Sequence, residues 1–103
     1  MPLYAGNDTA IADKGKKKLK EPEEFRVILL NDHYTTMEFV VEILISVFHK
    51  SEDEAYRIMM DVHKKHKGMV GVYPWDIART KADQVHAAAQ LNGFPLRCIV
   101  EPA

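Results

Sequence analysis

Three consecutive side chains, Asn31, Asp32 and His33, put an amide, a carboxylate and an imidazole into one short turn. Such a group offers acceptors, a negative charge and a titratable base, which suits acid–base work, metal ligation or the capture of a cation. Two further imidazoles follow as His63-x-x-His66, and Cys98 is the single cysteine. A zinc site built on His63, His66 and Asp32 meets a difficulty: in a helical reading His66 shares the face of Ile58 and Val62 while His63 is displaced, and no fourth ligand suggests itself. Nucleophilic catalysis lacks a nucleophile elbow or an activated thiol, since Cys98 sits in an alternating apolar run and reads as a small core residue. The five glycines are scattered and form no phosphate-cradling loop. A small metallohydrolase is therefore the enzymatic alternative, and a weak one.

Capture of a cation fits better. An ammonium has three donors and no acceptor, and Asn31, Asp32 and neutral His63 are all acceptors. Met37, Val40, Met59 and Val62 add apolar walls if the helices that carry them pack side by side. A cation receptor beside an apolar hole suits a free amino terminus with a bulky first side chain. The competing reading makes those four residues ordinary core, and spacing alone favours it.

The elements that must position these groups are legible from periodicity. Phe25–Leu30 is β-branched and aromatic, apolar on both faces late in its run, and predicts a central strand. Thr35-x-x-Glu38 predicts a capping box opening a first helix from about Thr36 to Phe48. Its two apolar stripes leave only Glu38, Glu42, Ser46 and His49 as a polar seam, so the helix is buried on most sides or lends surface to a ligand. Ser51-Glu52-Asp53-Glu54 predicts a second capping box and a helix to Lys67, with Gly68 as its C′ residue and lysines at its negative end. Ala55, Ile58, Met59, Val62 and His66 are assigned to one face, with His63 at the edge of the apolar patch. Met69–Tyr73 predicts a strand, Trp75–Gln90 a helix with the small-residue face Ala78, Ala82, Val85 and Ala89, and Leu96–Glu101 a last strand. The order βααβαβ is that of an α+β domain, with a three-stranded sheet, antiparallel or mixed, covered by three helices.

Composition sets the frame. The 103 residues are enough for one domain with one modest core. Residues 1–22 carry five lysines against three acids and show no periodicity, which predicts a disordered, lysine-rich arm ahead of a domain over 23–103. The domain itself holds nine basic against twelve acidic residues, which argues against nucleic-acid binding. No membrane span or signal pattern is read, and a lone cysteine suits a reducing cytosol.

The run Val27-Ile28-Leu29-Leu30-Asn31-Asp32, with Tyr34-Thr35 and Met37-Glu38-Phe39-Val40, resembles the signature of the ClpS family, adaptors of the bacterial ClpAP protease. The likeness continues through Met59-x-x-Val62-His63, Gly71-Val72-Tyr73, Thr80-Lys81 and Pro95-Leu96-x-Cys98, and covers about residues 24–101. The resemblance implies a non-enzymatic, monomeric, cytoplasmic adaptor with no cofactor and no nucleic-acid or membrane partner. It would bind proteins whose free amino-terminal residue is Leu, Phe, Tyr or Trp (N-degrons) and deliver them to the ClpA unfoldase. It further implies that Asn31, Asp32 and His63 hold the α-amino group and first peptide unit. Thr35, Met37, Val40, Met59, Val62 and Leu96 would line the side-chain pocket, with Met37 as a gate against β-branched residues. Asp76 and Lys81 would meet the unfoldase's N-terminal domain, and the lysine-rich arm would match the extension engaged during delivery. Two residues depart from the family pattern: His33 stands where a second Asp is usual, near the amine, and Thr36 where Pro is common. An alternative within the family is a modulator of the same unfoldase whose pocket has drifted.

Overall fold

The computed structural model describes residues 23–103; the predicted arm lies outside the described residues. Strand β1 (Glu24–Leu30) is the centre of a three-stranded sheet of order β2-β1-β3, with β2 at Lys67–Pro74 and β3 at Arg97–Pro102. Both pairings are antiparallel. The central position follows from the apolar character of β1: Val27 and Leu29 are fully buried, and Ile28 on the opposite face is buried too. Between Val27 and Ile28 the register with β2 shifts, because Val27 pairs with Gly71 and Ile28 with Met69. Val70 is the extra residue of this bulge, and its side chain lies in the core.

Three helices complete the fold: α1 (Met37–Ser46), α2 (Glu52–Lys65) and α3 (Trp75–Leu91). One core joins Val27, Leu29 and Cys98 of the sheet to Phe39, Ile43 and Leu44 of α1, Ile58 of α2 and Val85 of α3. Helix α3 touches all three strands, α2 lies on β2, and α1 packs beside α2. The small face Ala78, Ala82, Val85, Ala89 is the buried face of α3, as its spacing predicts. Helix α1 buries Phe39, Val40, Ile43 and Leu44, whereas Met37 and Ile45 stay exposed.

Three boundary expectations are corrected. The N-cap of α1 is Thr36, whose hydroxyl accepts from the Phe39 amide at 3.1 Å. Phe39 then occupies the third helical position, so Glu38 is one residue out of step for a capping box. Helix α2 ends at Lys65, and His66 takes the left-handed conformation (φ 74°) expected of Gly68. Gly68 instead lies in β2, where an added Cβ would sit 2.8 Å from Val62 Cγ2, so glycine serves close packing of α2 on the strand. Lys67 likewise belongs to β2, and His66 is exposed rather than sharing the Ile58–Val62 face. The second cap stands: the Ser51 hydroxyl accepts from the Glu54 amide at 3.2 Å.

Candidate functional site

The turn after β1 is shaped by one carboxylate. Asp32 Oδ1 accepts from the Tyr34 and Thr35 amides, both at 2.7 Å, and Oδ2 accepts from the Thr35 hydroxyl at 2.7 Å. This is an Asx-type turn, and it takes Thr35 away from the helix cap, leaving that role to Thr36. Burial acts to raise the Asp32 pKa, but the Thr35 amide and hydroxyl, the Tyr34 amide and the charge of His33 together outweigh it and leave it lowered. Asp32 therefore remains an anion at the mouth of α1. The preceding residue is tied from the other side: the Asn31 amide donates to the His66 carbonyl at 2.9 Å, joining the turn to the α2–β2 junction.

The side-by-side packing of α1 and α2 brings this turn against the second half of α2. Between them lies a cavity of about 280 Å³. Its polar wall is Asn31, Asp32, His33, Thr35 and His63; its apolar wall is Met37, Val40, Met59 and Val62. Val40, Met59 and Val62 are also core residues, so the floor of the cavity is the edge of the core and the two readings of these side chains coexist. Met37 is 42% exposed and stands at the rim. A carboxylate has about four acceptor sites, and local bonds use three of those on Asp32, leaving room on Oδ2 for one more donor. The arrangement offers charge and acceptors to a cation, with an apolar hollow next to it.

Every lining residue is among those the sequence singles out, but not every predicted one lines the cavity. Leu96 is 3% exposed and packs within the core instead. His66 does not line it either, and among the described residues no group of three or more His, Cys, Asp or Glu side chains is placed to hold a metal. Cys98 is buried, and burial pushes its thiol up to about 12, which leaves it unreactive as a nucleophile. Its amide donates to His86 Nε2 at 2.9 Å. The turn-forming role of Asp32 was the feature missed from sequence: Asp after a strand marks a turn former, but the backbone amides it binds are common to all residues and do not tell Thr35 from Thr36 as the helix cap.

The second predicted surface lies elsewhere. Asp76, Ile77, Thr80, Lys81 and Gln84 border a shallow depression on α3 that shares no lining residue with the cavity. Asp76 is exposed in the first turn of α3. Lys81 is half-buried: its Nζ donates to the Val47 carbonyl at 2.9 Å and stands 5.7 and 5.6 Å from the ring centroids of Phe48 and Tyr73. Lys81 thus ties α3 to the C-terminal end of α1. No helix among the described residues is long and apolar enough to cross a membrane.

Fold and site together define a small α+β binding domain whose cavity is bounded by a strand–helix turn and two helices. The pattern of the ATP-dependent Clp protease adaptor protein ClpS matches residues 20–99. The chain belongs to the ClpS family, whose members are non-catalytic adaptors of the Clp protease, and it is not an enzyme. It is 57% identical over 84 residues to the ClpS adapter of Syntrophus aciditrophicus, covering 82% of this chain and 78% of that one. Against the ClpS adapter of Acetivibrio thermocellus it is 53% identical over 94 residues, covering 91% and 95%. The solved structure of Agrobacterium tumefaciens ClpS2 bound to L-phenylalaninamide matches with a TM-score of 0.78 and 42% identity, over 81% of this chain and all of that one.

Proposed function

We propose that the cavity binds the free amino terminus of proteins that begin with Leu, Phe, Tyr or Trp, and that the chain delivers them to the ClpA unfoldase of ClpAP. The observation that carries this reading is the meeting of a polar wall of acceptors with an apolar wall in one cavity. Asn31, Asp32 and His63 receive the three ammonium donors and the first peptide unit, with Asp32 supplying the charge and His33 at its side. Met37, Val40, Met59 and Val62 take the first side chain, while Thr35 organises the turn through Asp32. Met37 at the rim narrows the entrance against β-branched residues. Phenylalaninamide, the ligand in the ClpS2 relative, has a free amine, a benzyl side chain and an amide, which is the chemistry of an amino-terminal Phe.

Delivery uses the second surface. Asp76 is free to meet the N-terminal domain of the unfoldase, and Lys81 supports that face from within while offering its remaining donors. The lysine-rich arm at residues 1–22 is the segment the unfoldase engages. The adaptor works as a cytoplasmic monomer without a cofactor.

The test is fluorescence anisotropy with a peptide beginning in Phe or Leu and its acetylated twin. Acetylation removes the charge and two donors, so buried acceptors go unpaired at about 1–3 kcal/mol each, and binding is expected to vanish. Equal affinity for both peptides would remove the amine-binding role from Asn31, Asp32 and His63.

A further inference from the structure

The strand register sets one part of the surface apart. Glu24 pairs with Pro74, so the chain enters β1 beside the point where β2 gives way to α3. Trp75, the first residue of α3, meets Phe25 edge-on with ring centroids 5.2 Å apart, yet it stays 49% exposed. Glu23, Phe25, Pro74, Trp75 and Asp76 together border an open depression of about 610 Å³. Its apolar members are two aromatic rings and a proline, and its charged members are two exposed carboxylates. An aromatic ring attracts cations, and Arg79 already stands 5.9 Å from the centroid of Trp75. The surface suits a segment that brings both positive charge and an apolar side chain.

The chain that leads into this depression has that composition. Residues 14–20 read Lys-Gly-Lys-Lys-Lys-Leu-Lys, five lysines and a leucine with no acid among them. Leu19 precedes Glu23 by four residues, and four residues of extended chain reach up to about 14 Å. Because Glu23 itself borders the depression, the covalent chain holds the lysines near it. Tethering of this kind gives effective concentrations in the millimolar range, so contacts too weak for a free partner suffice. Neither helix nor strand is needed, since lysine stems lie along apolar surface while their ammonium groups stay in water beside the carboxylates.

We propose that residues 16–20 dock onto this depression of their own chain, with Leu19 against Trp75 and Phe25 and the flanking lysines beside Glu23 and Asp76. The amine-binding cavity is not involved, because the two share no lining residue. Asp76 also borders the depression on α3 assigned above to the unfoldase, so on that reading the docked arm covers one edge of the delivery face.

Trp75 is the single tryptophan, so its fluorescence in the full chain reads the depression directly. Acrylamide quenching and the emission maximum are compared for three proteins at low and high salt. These are the unsubstituted chain, the variant Lys16→Gln, Lys17→Gln, Lys18→Gln, Lys20→Gln, and the variant Leu19→Ser. All five substitutions lie ahead of β1, so the fold of the domain is left as it is. Surface ion pairs and cation–π contacts are individually weak and screened, so the docked form is a majority and not the whole population. The quenching constant should therefore rise about twofold in either variant, with emission shifted to the red. High salt should bring the unsubstituted chain to the level of the lysine variant and leave that variant unmoved. Equal quenching in all three proteins at low salt would overturn the inference. Protection of Trp75 that grows with protein concentration would overturn it too, because the covering segment would then belong to a second copy.

Discussion

Helices α2 and α3 pack on the same sheet and each buries four residues, yet α2 borders the cavity beside α1 whereas α3 carries a shallow depression on its own polar surface. The buried set of α3 is Ala78, Ala82, Val85 and Ala89, small enough for the helix to settle across all three strands. That of α2 is Ala55, Ile58, Met59 and Val62, and α2 shares its other flank with α1. Helix separation follows the side chains at the contact, so bulky residues hold two helices apart where small ones let them close. A hollow persists where Met59 and Val62 face Val40 with only a polar turn as a lid. The hollow is a packing outcome, bounded by side chains that also serve the core.

The contrast breaks most visibly at Met59. Truncation by Met59→Ala removes a 4% exposed side chain from core and cavity wall together, and is expected to cost about 2–5 kcal/mol of stability. The surviving fold should also lose discrimination among bulky first residues, because the hollow deepens. Urea unfolding and a panel of Leu, Phe, Tyr and Trp peptides read both effects; unchanged preferences would take Met59 out of the specificity wall.

Ala82→Leu is the matching change on α3. Overfilling the close contact with the sheet should cost about 1–3 kcal/mol, visible as a lower melting temperature. Peptide affinity below the melting transition should not move. A large shift in affinity would mean that the two helices are coupled more tightly than their separate packing implies.

Asp32 gives a pH test of the polar wall. Its folded pKa is lowered below the ordinary value of 3.8, so the stability it contributes is fully present above that value. The contribution is lost as pH falls through the folded pKa. Asp32→Asn should flatten the acid limb of the stability profile below about pH 4 and weaken binding of free-amine peptides at neutral pH. Identical acid limbs for the two proteins would show that the turn does not depend on the charge.

The smallest expected change in stability is at the rim. Met37 is 42% exposed, so Met37→Ala should alter the melting temperature little while admitting peptides that begin with Ile or Val. Unchanged exclusion of Ile and Val would assign the gate to another residue.

How much of this was legible before folding depends on the range of the interaction. Strand and helix order, the central place of β1 and the alanine face of α3 are written in local periodicity, since a run of apolar residues at period two or 3.6 has few ways to be buried. The cap of α2 was legible for the same reason, because Ser51 competes with no other side chain for the first-turn amides. At α1 two hydroxyls compete, and Asp32 decides between them by drawing Thr35 into its own turn. No spacing rule contains that choice.

The sequence by itself determined the element order, the buried faces and the set of side chains from which a cation receptor is made. It also carried the family signature, which composition and periodicity do not express. Tertiary structure alone decided that residues 31–37 meet residues 59–63 around one cavity, that Leu96 goes to the core and not the cavity wall, and that His66 rather than Gly68 turns the chain into β2. It also decided that Lys81 is an internal tie between α3 and α1. Each of these depends on groups distant in the chain, or on a strand pairing that sets where a helix must stop. Their energies exist only once the sheet and helices are in contact.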